Sequence, residues 1–275
     1  MIKLIRANLA RTYKIIIVWL AIYAVYSVLI PIIFYEPNYD QYCTSEQMLA
    51  CNYGISMIPV QGILLAIICS LIWGTDFHNG AIRNKLIVGH TRNQIYLANF
   101  LTTGRISLAM NAVYLLFFLT ISLPLFGLTT LMAKDIFLLL IDGTLMLFGY
   151  CAIYTLVVMT SKNTVISLIT CAVLVVVSTL IVMYCSEIVN EEPYYTKYVI
   201  DEFGRTVEQV ITNPSMPSKA EQNFSQFLLD CLPSGQSFQL SNDLTIRWQM
   251  ALYSIGLISA TSGVGMLIFN KTNLK

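Results

Sequence analysis

The chain has 275 residues, of which 56% are hydrophobic and 11% charged, and its net charge is +1. A soluble globular domain carries about 25% charged residues, so this composition excludes an ordinary soluble fold and points to one built for a bilayer. Near-neutral charge gives no support to a nucleic-acid partner, and none is expected.

Lys3, Arg6, Arg11 and Lys14 make the start of the chain basic. Ile2, Ile5, Leu9 and Tyr13 share one side of a helical wheel, which predicts an interfacial amphipathic helix over 1–13 with cations near lipid headgroups. An unstructured basic tail is the alternative. The apolar run that follows is long enough to span and shows no A-x-A cleavage site, so it reads as a retained helix rather than a secretory signal.

Residues 15–34 form 20 consecutive positions without a charge, enough to cross about 30 Å of hydrocarbon. Further spans are predicted over 53–73, 106–128, 136–160, 165–185 and 248–269. Pro59 should kink the second of these. The result is an all-α integral membrane protein with six transmembrane helices in one domain, 1–275.

Charge orients the set. Lys3, Arg6, Arg11, Lys14, Arg83, Lys85, Arg92, Arg105, Lys162, Lys271 and Lys275 fall on one side with a single acid, Asp76. Lys134, Lys197, Arg205, Lys219 and Arg247 fall on the other with thirteen of the acids. By the positive-inside rule both termini are cytoplasmic, in a multi-pass protein of the cell membrane.

The inner stretch 74–99 is polar and basic. Asn79 or Gly80 can begin a short helix and Gly89 can end one, giving a rod over Ala81–Val88 with Ile82 and Leu86 on one face and Arg83 and Lys85 elsewhere. Such a rod suits the receipt of a push from a cytoplasmic partner. A loop that only fixes topology accounts for the same residues.

The outer insertion, 186–247, is too long for a simple loop. Tyr194–Ile200 and Val207–Ile211 flank Gly204 as a hairpin would. Ser218 and Glu221 have the spacing of a capping box, and the helix they open carries Phe224, Phe227, Leu228, Cys231 and Leu232 as a stripe before Pro233 ends it. That stripe either dips into the outer leaflet or packs on the tops of the spans.

Chemistry-bearing motifs are scarce. The chain has no Walker A, HExxH or G-x-S-x-G sequence, and His78 and His90 lack further ligands nearby, so neither an enzyme nor a metal site is expected. Asp142 lies about two turns into the fourth span. A carboxylate there either faces a bundle interior or pathway, or snorkels or bonds a neighbouring helix. Cys43, Cys51, Cys185 and Cys231 lie on the outer side, where three pairings or four free thiols are open; Cys43–Cys51 is the most local disulfide. Gly256, Ala260 and Gly263 in the sixth span permit close helix contact or simply face lipid.

The layout resembles the permease subunits of type-2 ATP-binding-cassette exporters of Gram-positive bacteria. The resemblance rests on six spans behind a basic N-terminal helix and on the inner stretch G-A-I-R-N-K-L-I-V-G-H-T-R-N-Q-I-Y-L-A-N at 80–99. It rests also on the outer insertion with N-P-S-M-P at 213–217 and L-P-S-G-Q at 232–236. Ala81 departs from the Thr usual there.

That resemblance implies a permease with no ATPase of its own. It would pair with a second permease copy and with cytoplasmic ATPase subunits that hold ATP and Mg. It also implies that the short helix between spans two and three is a coupling helix, with Asp76, Asn79, Ile82, Arg83, Lys85, Leu86, Arg92 and Asn99 as its coupling residues. Peptides, drugs or lipid-like molecules would be the substrates, or the role would be self-protection against antimicrobial peptides. A reading of another class is a non-transporting six-span sensor or scaffold whose outer insertion binds a ligand or partner.

Overall fold

The computed structural model describes residues 1–35, 43–55, 57–129, 131–200, 206–244 and 247–272. The loop acids Glu36 and Asp40, the hairpin turn at Gly204 and the basic Lys275 lie outside the described residues.

Eleven α-helices and one hairpin follow in order among the described residues: α1 Ile2–Phe34, α2 Ser45–Ala50, α3 Val60–His78, α4 Ala81–Ile87, α5 Arg92–Phe117, α6 Leu123–Phe126, α7 Ala133–Ser161 and α8 Thr164–Asn190. Strands β1 Tyr194–Ile200 and β2 Thr206–Thr212 come next, then α9 Lys219–Cys231, α10 Pro233–Phe238 and α11 Trp248–Lys271. A π-turn, Phe118–Ser122, joins α5 to α6 just before Pro124, whose ring cannot sit in a regular helix interior. Six segments are long and apolar enough to cross a membrane: α1, α3, α5 with α6, α7, α8 and α11. This is a multi-pass membrane architecture.

The ends of the spans differ from expectation in instructive ways. No break separates an interfacial helix from the first span; Ile2–Phe34 is one helix of 33 residues. Nothing between Thr12 and Ile15 can break it, and Leu4, Ile5, Asn8 and Thr12 are buried against the bundle rather than laid on lipid. The second span begins at Val60, not Tyr53, with Pro59 at its N-cap, so the proline opens the helix instead of kinking it. The third helix starts at Arg92, well before Ile106. Thr91 accepts from the Gln94 N–H while the Gln94 side chain accepts from the Thr91 N–H, a full capping box.

The start of α1, the end of α3, α4, the start of α5 and the end of α11 share one end of the bundle. Asn8 donates to Asn99 at 3.1 Å, and Tyr23 packs beside Tyr114 with ring centroids 6.3 Å apart. The two pairs have the same offset, so α1 and α5 run parallel in fixed register.

At the opposite end, two short segments are buried. In the first, α2 and the residues after it, Met48, Leu49, Ala50, Asn52 and Tyr53 are all sealed from solvent. Irregular backbone at this depth needs internal partners, and three tyrosines supply them. Tyr23 donates to the Asn52 carbonyl at 2.9 Å, Tyr26 to the Cys51 carbonyl at 2.7 Å, and Tyr114 to the Met48 carbonyl. The second segment is α10, buried along its whole length. Gln236 donates to the Asp230 and Met250 carbonyls at 2.7 and 3.1 Å, and Ser237 to the Tyr53 carbonyl at 2.9 Å. Pro233 thus begins a helix as well as ending α9.

The rest of the insertion follows its local signals. The hairpin pairs Tyr194 with Thr212 and Ile200 with Thr206. Ser218 and Glu221 form the capping box of α9, and the Ser218 N–H and hydroxyl hold the Glu221 carboxyl below its usual range. Helix α9 packs on α8 through Ser225 and Leu229, leaving Phe224 outward and setting the Phe227 ring edge-on to Tyr253 of α11 at 5.4 Å.

Cys43 and Cys51 are free thiols. Helix α2 lies between them, with Cys51 buried and Cys43 half-buried. All seven cysteines are free in the structure. Denatured, unreduced protein should therefore take up seven alkylating groups by mass spectrometry; five would restore a bridge.

Candidate functional site

The residues singled out in the stretch 74–99 converge on α4 and its supports. Gly80 at φ 67° and Gly89 at φ 96° occupy backbone that L side chains rarely adopt, and this lets seven residues fold back as an independent rod. The rod has two unlike faces.

The inner face is apolar. Ile82 is 2% exposed and sits among Leu4 and Ile5 of α1, Ile95 and Tyr96 of α5, Met159 of α7 and Phe269 of α11, with Leu86 packed beside it. Burying an isoleucine in this way is worth about 2 kcal/mol. Ile82 and Leu86, which the resemblance places among the coupling residues, both face the bundle and not an outside partner. A helical wheel shows which residues share a face but not which way that face turns.

Charge holds the same rod from its side. Asp76, in the last turn of α3, is buried; it pairs with Arg11 of α1 and, at 2.9 Å, with the Lys85 ammonium of α4. The ammonium also lies 5.7 Å from the centre of the Trp73 ring. Burial pushes the Lys85 pKa down, and the Asp76 carboxylate opposes that shift. Lys85 is thus an internal tie and not part of an outward cationic rim.

Two further ties close the junction. Arg92 donates to the carbonyls of Phe269 and Asn270 at 2.8 and 3.0 Å, and to that of Thr272, capping the C-terminal end of α11 where a cation is favoured. Asn99 accepts from Asn8 and its amide faces the Met159 sulfur at 3.4 Å. Side chains of α1, α3, α5, α7 and α11 all meet within one turn of α4 or its flanks.

What remains outward is Asn79, Arg83, Asn84, Ile87 and Val88; the last two are 74% and 77% exposed. Sequence reasoning passed over Ile87 and Val88, although two apolar side chains beside Gly89 at the end of an otherwise satisfied helix were the available signal. It also gave Arg11 and Asn8 no part in the site, since their partners lie in distant segments.

Asp142 belongs to none of this. It is 2% exposed on α7 toward the opposite end, and the ring of Tyr53 fills the space where a Cβ at Gly143 would stand. Its Oδ2 has no hydrogen-bond partner among the described residues. Also among the described residues, no group of three or more His, Cys, Asp or Glu could hold a metal.

Compared with protein-family models and with curated proteins, the chain matches none.

Proposed function

We propose that this chain is the membrane-spanning subunit of an ATP-driven exporter, with α4 as the element through which a separate cytoplasmic ATPase moves the spans. One observation carries the reading. A short rod at the end of the bundle is tied by Asp76, Lys85 and Ile82 to the helices that cross the membrane, while Ile87 and Val88 stand unpartnered at its tip beside Arg83. A rod bound so firmly on one side transmits displacement to α1, α3, α5 and α11 together. Its apolar tip supplies contact area for the partner, and Arg83 steers and registers it. ATP and Mg would reside in that partner, and a second permease copy would complete the transport unit. Gly256 and Gly263, with nothing within 4 Å of a Cβ at either, leave α11 open to close approach by that copy.

The test separates the two faces of α4. Changing Ile87 and Val88 together to Asp should leave the fold intact, because both side chains are exposed. It should lower co-purification with any ATP-binding-cassette ATPase found encoded beside this chain at least ten-fold and abolish the stimulation of its ATP hydrolysis in nanodiscs. Arg83→Glu should weaken capture several-fold. Normal capture and turnover by the Ile87/Val88 variant would remove the exporter reading, and the absence of any adjoining ATPase would favour a sensor or scaffold.

A further inference from the structure

Helix α1 is longer than a bilayer's core requires. Its 33 residues reach about 50 Å at 1.5 Å per residue, against about 30 Å of hydrocarbon. The 20 residues from Ile15 to Phe34 suffice for the crossing, so the first four turns project beyond it.

Those turns are sharply two-sided. At about 100° per residue, Lys3, Arg6, Arg11 and Lys14 fall within about 140° of arc, and all four are exposed. Leu4, Ile5, Asn8 and Thr12 occupy the other side and are buried in the bundle. Arg11, at the edge of the cationic arc, is paired with Asp76. Lys3, Arg6 and Lys14 have no acidic partner among the described residues, and the first 35 residues of the chain contain no acid at all.

The cationic arc continues directly into a lipid-facing one. Ile17, Val18, Val25 and Ile32 carry the same outward side up the helix, and each is more than half exposed. The register of α1 with α5, fixed by Asn8–Asn99 and Tyr23–Tyr114, puts exposed Arg105 at the height of Lys14. Two cations at one height, with uncharged helix above them, mark the edge of the hydrocarbon.

We infer that the outward face of the first four turns of α1 is a docking surface for anionic phospholipid headgroups. Lys14 would sit at the phosphate plane, with Arg6 and Lys3 in the attractive field just beyond it. The occupant is a lipid rather than an acidic protein because the face is continuous with the acyl-contacting stripe. A phospholipid lying along Ile17 and Val18 brings its own phosphate to Lys14. Lys14 at the phosphate plane is worth about a five-fold gain in lipid occupancy, and Arg6 and Lys3, farther out in a screened field, together add about two-fold. This inference does not depend on the exporter reading, since it requires only that α1 cross a membrane.

The full-length protein, purified in a neutral detergent, can be titrated with phosphatidylglycerol and phosphatidylcholine of identical acyl chains, and the retained lipids counted by native mass spectrometry. Wild type should retain phosphatidylglycerol about ten-fold over phosphatidylcholine, and the preference should fall with rising ammonium acetate. Lys3→Gln, Arg6→Gln and Lys14→Gln combined should bring it to about one without moving the thermal midpoint. Lys3→Arg with Lys14→Arg should preserve it. If the triple variant does not fold, Lys14→Gln alone should still cut the preference several-fold. A preference that survives neutralisation, or a wild type that does not discriminate, overturns the proposal, and the latter outcome leaves the face to a protein partner.

Discussion

Gly235→Ala is expected to dislodge α10 from the bundle and cost about 3 kcal/mol, the upper part of the range for overpacking a filled site. A Cβ at 235 would stand 2.7 Å from the Leu229 Cα and 2.9 Å from its carbonyl carbon, and closer still to the carbonyl oxygen. These are backbone atoms of the adjoining helix α9, so no side-chain rotation can relieve the overlap and α10 itself must move. Moving it breaks the Gln236 bonds to the Asp230 and Met250 carbonyls and withdraws Ser237 from the Tyr53 carbonyl. It would also uncover Cys185, which lies buried with Leu229 and Phe238. Gly149→Ala is the control, because a Cβ there meets only the Leu257 and Pro233 side chains, at ordinary contact distances of 3.4 and 3.5 Å. The measurement is the thermal midpoint in detergent together with maleimide labelling of Cys185. Equal midpoints and equal labelling for the two variants would mean that the insertion does not depend on α10 for its seat.

The parts of this fold that were legible in the sequence are those governed by hydropathy and by short-range capping. The apolar middles of the six long helices, the Ser218–Glu221 cap and the two strands of the hairpin all follow from the local pattern of residues. Where the chain departs from expectation, a distant partner decides. Residues 45–53 and 233–241 are polar, and in isolation they read as loops. They are buried because distant groups pair with them: Tyr23, Tyr26 and Tyr114 from two spans donate to carbonyls of the first, and Gln236 and Ser237 of the second donate to the Met250 and Tyr53 carbonyls. The early start of α5 is a different case, since T-R-N-Q at 91–94 is a local capping signal that the search for apolar runs passes over. At the candidate site, the wheel grouped Ile82 with Leu86 correctly, but only the gap between α1, α5, α7 and α11 fixes that face as the buried one.

Asp76→Ala should release α4 while leaving the six long helices assembled. The carboxylate is the only acid in the junction among the described residues, and its loss strands Lys85, whose side chain is 12% exposed beneath α4. Removing one member of a buried ion pair costs about 3–5 kcal/mol, and the lower end applies here because Arg11 is 40% exposed and can turn to water. The cost arises from the stranded ammonium rather than from lost attraction. Hence Asp76→Asn combined with Lys85→Met should recover most of the stability, although it restores no charge pair. Limited trypsin digestion reads the local event directly. Arg83 lies within α4 in every variant, and cleavage after it needs the rod to unfold, so the single variant should be cut there at least ten-fold faster than wild type and the double variant near the wild-type rate. Wild-type cleavage in Asp76→Ala would mean that Ile82 alone seats the rod. The charge cluster would then be dispensable to the mechanical link on which the exporter reading depends.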